Sequence, residues 1–254
     1  MNLPILFEKT AVEPRKTIFF RMPAFLVNRH SFYFLMTKTH LAPLVIFVFL
    51  LLSAFNPSEN NGNTTIGANH YLHDITTFTT DSLVNVVIEI PAGTNQKWEL
   101  NKETGRIEWE RVTPDSLRIF DYLAYPANYG FVPQTLVSET TGGDGDPVDV
   151  FVLGPAIARE TIISVRIVGI IHMLDDKESD SKLLAVDAKN PVFNVNSYKM
   201  LLKEYPGVVD IIKLWLIHYK GPGRIEIVSL NDEKDALRYL AMAHTDYLEL
   251  LPAK

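Results

Sequence analysis

Seven short runs rich in β-branched residues succeed one another after residue 83: VNVVIEI (84–90), KWEL (97–100), RIEW (106–109), VDVFVL (148–153), ETIISVRIVGII (160–171), KLLAV (182–186) and RIEIV (224–228). Glycine, proline and asparagine punctuate them, and strands this short bury their apolar faces only by wrapping into one compact sheet. The pattern predicts an α+β chain that is mainly β, built on a barrel or sandwich, without internal repeats. Two helical segments close the chain. Val208, Ile211, Ile212, Trp215 and Tyr219 recur at helical spacing between Pro206 and Gly221. Asn231 then stands where a helix cap belongs, ahead of an apolar face of Leu237, Leu240, Ala241, His244 and Leu248.

The N-terminal part has a different character. Residues 41–55, LAPLVIFVFLLLSAF, carry no charge and follow Lys38 and His40. The run resembles the apolar core of a signal peptide and is short for a membrane span, which needs about 20 residues. Translation from Met36 would make it an ordinary signal peptide; a buried core helix is the other reading. The polar stretch NPSENNGNTTIGANH (56–70) reads as a linker. The expected organisation is an extension over 1–55, a linker over 56–70 and a folded domain over 71–254. A segment so apolar aggregates when left in water, which points to an exported or membrane-anchored protein with membrane contact through 41–55.

Chemistry concentrates in Gly143-Asp144-Gly145-Asp146-Pro147-Val148-Asp149-Val150, where three carboxylates lie within six residues and lead into a strand. Such carboxylates repel one another, and burying them is costly unless cations share the site. Hard divalent ions bound through oxygen answer that need. A calcium loop starting at Asp144 is excluded, because its fifth position is Val148 and its sixth is Asp149, where a ligand and a glycine belong. A solvated acidic turn remains the alternative. A second cluster, Asp175, Asp176, Glu178 and Asp180, lies in the turn between two apolar strands and by itself is an ordinary charged hairpin. Basic and phenolic residues form a third group: Lys97, Arg111, Arg118, Tyr125, Tyr129, Lys182, Tyr219 and Lys220. Taken singly each reads as structural, the Lys and Arg as scattered surface charge and Tyr125 and Tyr129 as core aromatics.

A net charge of −6 excludes partners gripped by a broad basic surface, such as duplex nucleic acid. A small polyanion still binds where metal ions or clustered Lys and Arg offset the acidic field. The chain has no cysteine, which rules out disulfides, thiol nucleophiles and thiolate metal sites.

In order along the chain, VVIEIP (86–91), KWELNKETG (97–105), YPANYGFVPQTL (125–136), DGDPVDV (144–150), LDDKESDSK (174–182) and HYK (218–220) resemble the soluble family I inorganic pyrophosphatases. The resemblance implies an OB-like five-stranded closed β-barrel core with additional strands and two C-terminal helices. It implies Mg2+ as the cofactor, with Mn2+ or Zn2+ as substitutes, and pyrophosphate as the substrate. Asp144, Asp149, Asp175 and Asp180 would be metal ligands, with Glu89 holding a further ion and Glu99 at the edge of the cluster. Asp146 would orient or deprotonate the attacking water. Lys97, Tyr129, Lys182, Tyr219 and Lys220 would contact the phosphates. The family also carries one arginine before YPxNYG, where this chain offers Arg111 and Arg118, and Arg118 matches the arrangement of members with a similar stretch. After HYK, GPGR replaces a longer lysine-containing loop of shorter bacterial members, and Arg224 is the only charge left there.

The resemblance also implies a homo-oligomer and a cytoplasmic location, the latter at odds with the apolar segment. Two competing readings stand beside it: a metal-dependent phosphatase acting on organic esters, and an exported metal- or phosphate-binding module without turnover.

Overall fold

The computed structural model describes residues 70–191 and 193–251; the apolar segment 41–55, the linker before residue 70 and the alternative start at Met36 lie outside these residues. In chain order the strands are β1 (Val84–Ile90), β2 (Trp98–Leu100), β3 (Ile107–Trp109), β4 (Arg111–Thr113), β5 (Ser116–Leu117), β6 (Asn128–Phe131), β7 (Asp149–Leu153), β8 (Ile162–Asp175), β9 (Glu178–Ser179), β10 (Lys182–Asp187) and β11 (Ile225–Asp232). Helices α1 (Tyr198–Glu204) and α2 (Val208–Tyr219) lie between β10 and β11, and α3 (Glu233–Leu250) follows β11. No helix among the described residues is long and apolar enough to cross a membrane.

One sheet takes seven strands and runs β1-β6-β7-β10-β8-β11, with β9 paired to β8. Strand β1 pairs with both β6 and β8, so the ladder returns on itself. Its single parallel pairing is β7 with β10, which sets Lys182 opposite Asp149. Side chains alternate across each strand, and apolar clusters form on both faces. Val86, Ile88, Val150, Val165, Leu183 and Ala185 gather with Ala236, Leu240 and Ala243 of α3. Ile90, Phe151, Leu184 and Val186 gather with Ile212, Trp215 and Leu216 of α2.

The seven expected runs all form strands. Four more strands, β4, β5, β6 and β9, escape the sequence pattern because turn residues interrupt it. Asn128 and Gly130 read as loop formers, yet both belong to β6. The glycine is required there, since a Cβ would lie 1.9 Å from the Val87 carbonyl oxygen.

The C-terminal region has three helices where two were expected. Helix α1 spans only 7 residues, too few to display a period, and is started by the Ser197 hydroxyl accepting from the Met200 N–H. Helix α3 is capped by Asp232, the last residue of β11, whose carboxylate accepts from the N–H groups of Lys234 and Asp235, while the side chain of Asn231, one residue earlier, donates to the Asp235 carboxylate. Its buried face is Ala236, Leu240, Ala243 and Tyr247. Leu237 and Leu248, assigned to the core by sequence, are 44% and 49% exposed. Two alanines allow the helix close to the sheet, and that approach outweighs the larger leucine side chains on the neighbouring stripe. In α2, Ile211 is likewise exposed.

Replacing the cap, Asp232→Ala, is expected to lower stability by about 1 kcal/mol. The urea midpoint should fall at constant slope, whereas Asn231→Ala should leave the α3 end intact by circular dichroism.

Candidate active site

The two acidic segments reach one region because the sheet places their roots side by side. Asp149 opens β7 and Lys182 opens β10, and these strands are paired. Before β7, Gly145 has φ +75, a conformation that glycine adopts without strain. Val137 clasps that loop, donating its N–H to the Asp146 carbonyl at 2.8 Å and accepting from the Gly145 N–H at 2.9 Å. Gly143 packs so close to Val137 that a Cβ would lie 2.4 Å from its side chain. The second acidic turn joins β8 to β9. The Ser179 N–H donates to the Gly142 carbonyl at 2.9 Å, tying one loop to the other.

Three ammonium groups sit among the carboxylates. Lys182, 3% exposed, is ion-paired to both Asp149 and Asp180. Burial opposes its charge, but the two carboxylates outweigh that and hold its pKa well above the ordinary value. Lys220 is paired to Asp175. Lys102 donates to Asp146 at 2.6 Å and to the Gly145 carbonyl at 3.1 Å. Asp144 accepts from the Asp146 N–H at 3.0 Å. Its carboxyl is nevertheless pushed up by burial, with the nearby charges of Asp146, Asp180 and Asp149 adding to the rise.

Two hollows are lined by these groups. One, of about 200 Å³, is bounded by Glu89, Lys97, Glu99, Lys102, Asp146 and Asp149. The other, of about 180 Å³, is bounded by Asp144, Asp175, Asp176, Glu178, Asp180 and Lys220. In the first, Glu89 is 4% exposed and accepts from the Leu100 N–H at 2.7 Å. Burial is the main cause that pushes it up to about 8, assisted by Asp149 and opposed by Lys97. Lys97 pairs with Glu99 at 3.3 Å. Burial works against its ammonium, yet Glu89, Glu99, Asp149 and Glu110 together raise its pKa.

The phenols line up behind the ammonium groups. Tyr129 is 7% exposed, and burial drives its pKa well above the ordinary value, reinforced by Asp149 and Asp180. Lys182 Nζ lies 5.7 Å from the centre of its ring. Tyr219 stacks on Trp215 with ring centres 4.4 Å apart and is pushed up to about 12, chiefly by burial. Both hydroxyls therefore stay protonated as hydrogen-bond donors at neutral pH. Tyr125 packs between Tyr129 and Trp215 in the core.

The two arginines are placed differently. Arg118 donates through one guanidinium nitrogen to both carboxylate oxygens of Glu110, at 2.7 and 2.9 Å. Arg111 lies on the rim of a hollow shared with Glu99, Lys102 and Glu110 and donates to the Pro114 carbonyl at 2.7 Å. Arg224 is paired with Asp176 on the exposed surface.

Among the described residues no three carboxylate or imidazole groups converge into a ready-made metal site. The residues nonetheless fit divalent ions. Asp175 has a buried oxygen with no hydrogen-bond partner, and Asp144 is crowded by like charge. Oxygen-only donors of this kind suit hard cations. Lys102 was missed by sequence reasoning, although it lies within KWELNKETG; only the hairpin of β2 and β3 swings it over Asp146.

A family model described as inorganic pyrophosphatase matches residues 86–248. An inorganic pyrophosphatase from Campylobacter jejuni is 34% identical over 168 residues, 65% of this chain and 91% of that one. One from Neisseria meningitidis serogroup A is 35% identical over 162 residues, 62% of this chain and 85% of that one. Among solved structures, the type I inorganic pyrophosphatase from Toxoplasma gondii superposes with TM-score 0.68 at 30% identity, covering 72% of this chain and 88% of that one. The Coxiella burnetii inorganic pyrophosphatase gives TM-score 0.58 at 28% identity over 68% of this chain and 99% of that one.

The raised Glu89 sets a test for metal-free protein. An acid whose pKa is higher folded than unfolded supports the fold most when protonated, and that support is lost as pH rises from about 4.5 to about 8. In a chelator, Glu89→Gln should flatten the decline in urea stability across this window. An unchanged pH slope would show that Glu89 ionises normally.

Proposed function

The chain belongs to the inorganic pyrophosphatase family and is an inorganic diphosphatase hydrolase; from that premise we propose that its acidic hollows take divalent ions, Mg2+ first, and that Asp146 takes the proton of the water that splits pyrophosphate. Crowding carries this reading. Asp144 is raised by burial and by neighbouring carboxylates, and Asp175 keeps an unpartnered buried oxygen. Asp144, Asp149, Asp175 and Asp180 would hold the ions, with Glu89 and Glu99 at the edge. Mn2+ and Zn2+ are the expected substitutes. Bound there, such ions would neutralise phosphate oxygens and lower the pKa of a water molecule to about 7.

The chain's own residues do the rest. Asp146 lies beside the ion ligands and accepts a proton from water. The hydroxyl adds to one phosphorus, the bridging P–O bond breaks, and the second phosphate leaves with that oxygen and takes up the proton held by Asp146, giving two phosphates and restoring the carboxylate. Lys97, Lys182 and Lys220 move from carboxylates towards the arriving phosphates as mobile point charges. Tyr129 and Tyr219, kept protonated by burial, donate hydrogen bonds without adding charge. In phosphoryl transfer this positioning and neutralisation is most of the protein's contribution.

The arginine assignment changes. Arg118 is committed to Glu110, so Arg111, on the rim beside Glu99 and Lys102, is the better phosphate clamp. The returning ladder β1-β6-β7-β10-β8 is read here as the OB-like five-stranded closed β-barrel. A catalytic domain over 71–254, a homo-oligomeric assembly and export or anchoring through 41–55 complete the proposal.

Phosphate release from pyrophosphate and from nitrophenyl phosphate, with Mg2+ and with chelator, tests it. Release from pyrophosphate alone and only with Mg2+ is expected; preference for the ester would favour a general phosphatase. Asp146→Asn should lower kcat by about 100-fold or more, with the circular dichroism spectrum unchanged. Arg111→Ala should raise KM for pyrophosphate more than Arg118→Ala, and the reverse ranking would restore Arg118 as the clamp.

A further inference from the structure

Behind the acidic hollows lies a polar chain that the reaction itself does not use. His172, on β8, shares Nδ1 with the Ser181 hydroxyl at 3.0 Å and Nε2 with Asp235 of α3 at 2.8 Å. Asp235 is fixed in turn. It accepts from the Asn231 amide at 2.7 Å and from Arg238 at 2.7 Å, and its own N–H donates to the capping Asp232 at 3.1 Å. The hydrogen bond from His172, followed by those from Asn231 and Arg238, holds the Asp235 carboxyl near about 2. The Tyr239 ring stands edge-on to His172 at 5.9 Å, and its buried hydroxyl, without a well-aligned partner, faces the same serine.

A Ser–His–Asp order suggests a nucleophile, but Ser181 is 4% exposed, and no substrate reaches so enclosed a hydroxyl. Its position suggests another role. Ser181 lies between Asp180 and Lys182 in the link from β9 to β10, and the contacts of the three side chains diverge. Asp180 and Lys182 meet on the acidic side, while Ser181 turns the other way into His172. Whatever fixes Ser181 therefore fixes the direction of both neighbours.

We infer that Asp235, His172 and Ser181 form a positioning chain, anchored at the capped start of α3, which aims Asp180 and Lys182 into the site. The inference rests on the proposed roles of those two residues in ion and phosphate binding. None of the three touches substrate; they act by fixing the backbone direction from which the two charged side chains leave. A small misplacement of such groups has a large effect on rate, since about 1 Å can cost about a hundredfold.

The test uses the full chain with His172→Leu, which removes both hydrogen bonds at similar bulk, His172→Gln, whose amide keeps one bond to the serine, and the milder Ser181→Ala. Kinetics with pyrophosphate, Mg2+ binding by calorimetry without substrate, and thermal unfolding are measured for each. His172→Leu and Ser181→Ala are expected to lower kcat/KM by about ten- to a hundredfold and to weaken Mg2+ binding, with His172→Gln recovering most of both. Wild-type kinetics and ion affinity in both variants, whether or not the melting temperature falls, would show a purely structural brace and overturn the inference. Should His172→Leu fail to fold, Ser181→Ala decides. A wild type that does not hydrolyse pyrophosphate sinks the functional reading alone, because the ion-binding comparison still reports on Asp180.

Discussion

An ammonium group as enclosed as that of Lys182 keeps its charge only if carboxylates surround it, and Asp149 does so from the start of β7 and Asp180 from the link between β9 and β10. Removing one partner of such a buried pair typically costs about 3–5 kcal/mol, because the other charge is then left uncompensated. The arrangement thus ties the start of β7 to the start of β10 and to the acidic turn before it. Because the carboxylates outweigh burial, the lysine remains a cation over the whole physiological range. A polyanionic substrate then finds positive charge in a chain that is acidic overall.

The same logic repeats around the site. Lys220 serves Asp175, Lys102 serves Asp146, and Lys97 serves Glu99. Each ammonium lies against a carboxylate, so the site balances much of its own charge within the chain. Lysine suits this arrangement better than arginine, because its compact charge rides on a flexible stem while a guanidinium is held by its planar fork. Arg118, gripped by both oxygens of Glu110, illustrates the immobile alternative. The polar chain behind Ser181 supplies rigidity where mobility would be harmful. It fastens the acidic turn to a capped helix on the far side of the sheet.

Much of this was legible in the residues. Alternating β-branched runs fixed seven strands, since period-2 burial leaves a signature that turns do not erase. The acidic spacing 144-146-149 and the order of the resembling segments marked the chemistry, and Glu89, Lys97, Glu99, Asp146 and Asp149 line one hollow while Asp144, Asp175, Asp180 and Lys220 line the other. Legibility failed where identity and geometry part company. Asn128 and Gly130 look like turn formers but lie in β6, because a neighbouring strand needs a glycine to approach closely. On α3 two apolar stripes compete, and the sequence favours the bulkier one.

The sequence by itself determined the strand-rich class, the acidic and basic inventory and the reaction type, because these follow from residue chemistry and its order along the chain. Only the tertiary structure decided that Arg118 pairs with Glu110, that Lys102 reaches Asp146, which stripe of α3 is buried, and that a histidine and an aspartate 63 residues apart lie behind the acidic turn. Those outcomes depend on distances between segments remote in the chain. Such distances are set by the closing of the sheet and by how near a helix can approach it, and neither is written in any local stretch of residues.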